Sequence, residues 1–231
     1  MILFKNAEIN YPIYENNLYF KNIIFKKIFS TSTNNYYNVF KNINLEIVPG
    51  DRVALIGKNG SGKTTLLRVL LNILPISNGI YRNDFQNILG LISLDSGLNQ
   101  DSNAIENIQM MNQFYDIKKN LSDDDILKII DFAELEKYQN WPIRKYSSGM
   151  KLRLLFALYT FQIKDCYIID EWLSVGDNSF KKKSEKKLDE LISKCKVLVC
   201  ASQNHDLLRT ICNKFLLIDN KNIKLVNSKD F

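Results

Sequence analysis

The stretch GKNGSGKTT, residues 57–65, sets Gly57, Gly62, Lys63 and Thr64 at the spacing of a phosphate-binding loop. Its glycines, Gly57, Gly60 and Gly62, free the backbone to curl, so that N–H groups around Lys58, Asn59 and Ser61 can point at one anion without Cβ clashes. The polar start of the next segment, Lys63, Thr64 and Thr65, adds a helix N-terminus with its partial positive charge. On this chemistry the loop cradles the phosphates of a nucleotide. Lys63 reaches the β- and γ-phosphates, and the Thr64 hydroxyl ligates Mg2+.

A pair of acids fits that loop. The apolar run CYIID, residues 166–170, ends in Asp170 and is followed by Glu171. In a chain with a phosphate loop, an acid closing a sheet strand holds the Mg2+ shell, which gives Asp170 that role. Glu171 lies one residue nearer the crevice beyond the strand ends. A carboxylate there can orient and polarise a water against the γ-phosphate.

A third stretch, KYSSGMKLRL at residues 145–154, places Ser147, Ser148 and Gly149 where a long apolar-periodic run begins. A helix start built of small residues leaves its first N–H groups open, and serine hydroxyls can donate as well. It is a second anion site. Two such sites in one chain point to a nucleotide held from both sides.

The rest of the sequence must position these groups. The 231 residues, 45% hydrophobic and 24% charged, suit one large α/β domain able to bury a core, and exclude a disordered chain. A weak alternation over residues 2–10 reads as a first strand. Ile43, Leu45 and Ile47 alternate as a half-buried edge strand, and Val53, Leu55 and Ile56 run into the glycine loop. GKTTLLRVLLNILP reads as an amphipathic helix ended by Pro75. Residues 101–160 read as mostly helical, CYIID and KVLVCAS as buried strands with a helix between them, and KFLLIDNKNIKLV as a closing hairpin. Residues 18–29 are apolar with lysines at 21, 26 and 27, a helix packed on the sheet or a basic amphipathic element near a membrane.

The net charge of +6 describes a lysine-rich surface, or a partner that is anionic. The stretch MILFKNAEIN lacks the uninterrupted apolar core expected of a signal sequence, and no run in residues 1–231 is long enough to span a bilayer. The four cysteines form no CxxC pair and read as reduced core thiols, and His205 is the only histidine, which argues against a metal cluster built on imidazoles.

The order phosphate loop, helical insertion, YSSGM, CYIIDE, SVGD resembles an ABC-transporter ATPase domain over essentially the whole chain. YSSGM, residues 146–150, looks like a variant of that family's LSGGQ signature, and SVGD, residues 174–177, like its D-loop. FAELEKYQNWPIRKYSSGMKLRLLFAL and DEWLSVGDNSFKKKSEKKL are similar to the polysaccharide-export group, the Wzt-like and KpsT-like exporters of O-antigen and capsule and the related teichoic-acid exporter. The resemblance implies a single α/β ABC ATPase domain over residues 1–231. Its parallel-sheet core has an antiparallel β edge, with an inserted helical subdomain at about 91–160 and a gate helix at about 18–29. It implies two copies under a Wzm-like multi-span permease at the cytoplasmic face of the membrane, moving lipid-linked polysaccharide, with no nucleic-acid partner. Each ATP would touch the phosphate loop of one copy and Tyr146, Ser147, Ser148 and Gly149 of the other, with Asp177 alongside. Tyr11 or Tyr14 would stack on adenine.

The sequence departs from the family at two catalytic positions. A histidine is usual just after the strand that follows the D-loop; here the residue after KVLVCAS is Gln203, and the spacing to LLRTIC assigns the switch position to Gln203, not His205. Its amide can hydrogen-bond the γ-phosphate but carries no charge. The strand NILGLISL offers Ser93 where the family has a glutamine that also meets Mg2+. Ending soon after the hairpin, the chain is expected to carry no carbohydrate-binding domain. Other exporters, or an ABC ATPase acting on ribosomes or DNA, would share the site. The second kind usually has tandem domains or a coiled coil, and neither is present.

Overall fold

A computed structural model of the chain describes residues 1–12, 36–92, 97–115, 117–170 and 178–230. The expected gate helix, and Tyr14, Ser93, Glu171 and Asp177, lie outside the described residues.

Two sheets are built from β1 (Ile2–Pro12), β2 (Tyr36–Ile47), β3 (Arg52–Ile56), β4 (Asn78–Asn83), β5 (Ile88–Leu91), β6 (Cys166–Asp170), β7 (Val197–Ala201), β8 (Lys214–Asp219) and β9 (Asn222–Val226). The larger has the order β5-β6-β7-β3-β8-β9 and is parallel except for the terminal β8–β9 hairpin. The smaller, β2-β1-β4, is antiparallel. The helices are α1 (Lys63–Leu70), α2 (Ala104–Tyr115), α3 (Asp123–Ala133), α4 (Ser148–Tyr159), α5 (Asn178–Lys194) and α6 (His205–Ile211), with one 3-10 turn at Ile143–Lys145. The α/β architecture expected from the sequence is the one observed, with α2, α3 and α4 lying between β5 and β6 in the chain.

The central strands are continuous apolar runs because both of their faces are covered. On one face Ala54 and Ile56 of β3, Tyr167 and Ile169 of β6 and Leu198 and Cys200 of β7 join the core of α2, α3 and α4. On the other, Val53, Leu55, Cys166, Ile168, Val197 and Val199 pack with α1 and with Ile2, Phe4, Ile9 and Phe40 of the small sheet. Thus α1 and α4 belong to opposite faces of the parallel sheet. The four cysteines are free and buried, and burial pushes the Cys166 thiol up to about 12.

Two elements differ from their expected bounds. β2 begins at Tyr36 instead of residue 43, because its ladder with β1 continues through Phe40, Asn38, Tyr37 and Tyr36. α1 stops at Leu70, short of Pro75. Asn72 takes a left-handed φ of 58°, and the Ile73 N–H turns back to the Arg68 carbonyl at 2.9 Å.

Candidate nucleotide site

Three adjacent strands deliver the candidate residues to one edge. The parallel ladders align Asp170 of β6 with Ala201 of β7, and Ala201 with Leu55 of β3. Gly57 and Gln203 therefore each leave the sheet two residues beyond that row, and Glu171 follows Asp170 in sequence. This is the carboxyl edge of a parallel sheet, where such folds bind ligands.

The phosphate loop is closed on its own chain. Gly62 caps α1 at φ 108°, and a Cβ there would come within 2.8 Å of the Phe40 ring, so the position admits only glycine. Lys63 Nζ donates to the carbonyls of Gly57, at 2.6 Å, and Lys58, at 3.1 Å, and the Ser61 N–H donates to Lys58 O at 3.1 Å. No side chain caps α1, and no acid stands in its first turn. The N–H groups of that turn thus keep their pull on an anion.

Ser61 carries a direct sign of fit. Its Oγ is buried and, among the described residues, has no hydrogen-bond partner. A buried orphan hydroxyl costs free energy unless something answers it, and a phosphate oxygen in the loop would do so. Thr64 Oγ1 donates to Asp170 Oδ2 at 2.7 Å, although the two residues are far apart in sequence. A hydroxyl and a carboxylate in contact form a hard oxygen pair of the kind Mg2+ takes. The residues present fit a Mg-nucleotide.

The serine tip is arranged otherwise. Ser147 is the N-cap of α4, and its Oγ accepts the Met150 N–H at 3.2 Å. Ser147, Ser148 and Gly149 are exposed. Gly149 stands in open space: a Cβ there would meet nothing nearer than Ser147 Oγ at 3.9 Å. Among the described residues nothing requires glycine at 149. Tyr146, counted in the sequence with the nucleotide contacts, is 5% exposed and donates its hydroxyl to the Tyr138 carbonyl at 2.8 Å. Its ring belongs to the core that seats the tip, and its polar end is already engaged.

The remaining candidates are scattered. Tyr11 is half-buried, and its hydroxyl accepts from Arg68 Nη1 of α1 at 3.2 Å, which ties β1 to the helix of the phosphate loop. Gln203 is exposed just beyond β7. His205 is the exposed first residue of α6, whose N-cap Asn204 accepts the Leu207 N–H at 3.1 Å. The role of Phe40 beneath the loop has no local signal, since nothing in β2 marks its nearness to Gly62.

Residues 40–174 match the ABC transporter family. The chain belongs to the ABC transporter family. It is 31% identical to the O-antigen export system ATP-binding protein RfbE of Yersinia enterocolitica, with 94% of each chain covered. It is 34% identical to the teichoic acids export ATP-binding protein TagH of Bacillus anthracis over 85% of this chain and 35% of that protein. It spans 32% to 60% of the length of the TagH proteins of Bacillus cereus, Bacillus anthracis and Shouchella clausii. In fold it matches an ATP-binding cassette solved as a dimer in a post-hydrolysis state with ADP and Pi, with a TM-score of 0.73, 19% identity and both chains fully covered. Among the described residues no helix is long and apolar enough to cross a membrane.

Proposed function

We propose that this chain is the ATP-hydrolysing subunit of an ABC exporter, that two copies close on two ATP molecules, and that the cargo is a lipid-linked polysaccharide. The observation that carries the reading is the Thr64–Asp170 hydrogen bond, which joins the phosphate loop to the end of β6 across the intervening β7. It is supported by relatives named for export of O-antigen and of teichoic acids.

In this reading Lys63 and the loop N–H groups hold the β- and γ-phosphates. Thr64, Asp170 and Ser93 would hold Mg2+, which supplies neutralisation of the phosphate charge. Glu171 accepts a proton from the attacking water while aligning it with the γ-phosphorus. Gln203 donates its amide N–H to a γ-phosphate oxygen. Tyr11 or Tyr14 lies against the adenine. Ser147, Ser148 and Gly149 of one copy, with Asp177 nearby, complete the phosphate shell of the other. Gly149 lets the tip come close, and the Ser147 hydroxyl proton remains to be donated while its oxygen caps α4. Hydrolysis removes the shared γ-phosphate and lets the copies part. That motion drives a Wzm-like permease, with this subunit held at the cytoplasmic face of the membrane.

The test is co-expression of the tagged chain with candidate permeases. Copurification with a multi-span membrane protein, and stimulation of ATP turnover in that complex by lipid-linked glycan, is expected. Copurification with ribosomes or DNA instead would overturn the exporter reading.

A further inference from the structure

Asn107 lies on the apolar face of α2 beside Ala104, Ile108 and Met111 and is fully buried. A buried amide is costly unless its donors and acceptor are satisfied. Here all of them are spent on one loop. Asn107 Oδ1 accepts the Asn99 N–H at 2.7 Å. Its Nδ2 faces the carbonyls of Asn99 at 3.1 Å, Ser102 at 3.3 Å and Asn103 at 2.8 Å, which share its two N–H groups. Leucine could do none of this, and aspartate could only accept.

The outer side of the same loop grips the chain on both flanks of the serine tip. Before it, Ser102 O accepts the Ile143 N–H and Gln100 O accepts the Arg144 N–H, both at 2.9 Å, and Asp101 pairs with the Arg144 guanidinium. After it, Gln100 Oε1 accepts from Lys151 Nζ of α4 at 2.8 Å. Ser147 stands between these two anchors.

We propose that Asn107 is a positioning residue for the serine tip: by fixing the shape of residues 99–103 it sets where Ser147, Ser148 and Gly149 present themselves to the other copy's triphosphate. This rests on the two-copy reading above. Asn107 touches no nucleotide and acts through the loop alone. Its removal leaves the phosphate loop intact, because α1 belongs to the core on the opposite face of the sheet.

The experiment compares Asn107→Leu, Ser147→Ala and the double variant in the full-length chain, with Asn107→Ser taking the place of Asn107→Leu if that variant does not fold. In the protein without nucleotide, hydrogen exchange at the Ile143 and Arg144 amides is expected to quicken by about tenfold or more, the loss of one net hydrogen bond, while β3 exchanges as before. ADP binding stays within about twofold. ATP-driven pairing in a Glu171→Gln background weakens by about tenfold. Ser147→Ala added to Asn107→Leu costs less than about twofold more, since the two act as one unit. Unchanged exchange at Ile143 and Arg144, or losses that multiply in the double variant, would overturn the proposal. If Ser147→Ala alone leaves pairing unchanged, the two-copy reading fails instead, and the exchange result still decides whether Asn107 shapes the tip.

Discussion

The phosphate loop and the serine tip are both helix starts able to hold an anion, yet their own chain treats them differently. At the loop, Lys63 folds back on the carbonyls of Gly57 and Lys58, Thr64 reaches Asp170, and Gly62 is pressed against Phe40. At the tip, Ser147, Ser148 and Gly149 are exposed, a Cβ on Gly149 would meet nothing nearer than Ser147 Oγ among the described residues, and the Ser147 hydroxyl caps the Met150 N–H. In the proposed reading one is a site built in cis, and the other is half a site, supported from behind and open in front. The two belong to opposite faces of the sheet, which fits a tip that serves a nucleotide on another copy.

That contrast can be broken most severely at the loop. Lys63→Ala removes the cation that lies over the loop carbonyls of Gly57 and Lys58, and both ATP binding and turnover are expected to fall, turnover by roughly 10²-fold or more, measured by nucleotide titration and phosphate release. Glu171→Gln separates the two functions. Turnover is expected to drop by roughly 10²- to 10⁴-fold with ATP affinity kept, and retained turnover would remove Glu171 from the role of base.

Substitution at the tip should leave the first half untouched. Ser147→Ala removes the α4 N-cap together with the hydroxyl that the proposal offers to the other copy's phosphate, and ATP-driven pairing is expected to weaken by about tenfold or more while ADP binding stays constant. Exposure and partnering explain why these two halves were not equally readable beforehand. The loop's spacing states its chemistry outright, because glycine and lysine are needed there by backbone geometry and charge. The string YSSGM does not say which of its residues face outward: Ser147, Ser148 and Gly149 are exposed, whereas the Tyr146 ring is buried. β4, with its exposed NGIYRN, and the short α6 lack an apolar period long enough to be seen. Asn107 did leave a trace, a polar residue inside the apolar stripe of α2, but its four partners are backbone groups, and backbone groups have no sequence signature.

Smaller effects sharpen the picture. Gln203→His would place a chargeable group two residues beyond the strand row of Asp170, and turnover is expected to rise by a few-fold at most. Unchanged or lower turnover would count against Gln203 as the switch residue. The smallest effect concerns the helices behind the tip. A hydrogen bond from Lys118, aided by Ser122, holds the Asp125 carboxyl well below the usual carboxylate range. A depressed folded pKa stabilises above the unfolded value near 3.9 and loses its effect as pH falls through the folded one. Asp125→Asn should therefore lower the melting temperature at neutral pH. Its gap from wild type should close in strong acid, with ATP turnover at neutral pH nearly unchanged. A gap that stays constant across that range would contradict the ionic origin.

The most direct measurement is a mixed cross-link in the Glu171→Gln background. One preparation carries Asn59→Cys in the phosphate loop and the other Gly149→Cys at the tip; the native cysteines, all buried, stay out of reach of the reagent. With MgATP and a short thiol cross-linker, the account predicts a covalent Asn59→Cys/Gly149→Cys pair that forms only on mixing and vanishes with ADP. Equal cross-linking with ADP, or none across the mixture while ATP is bound, would contradict it.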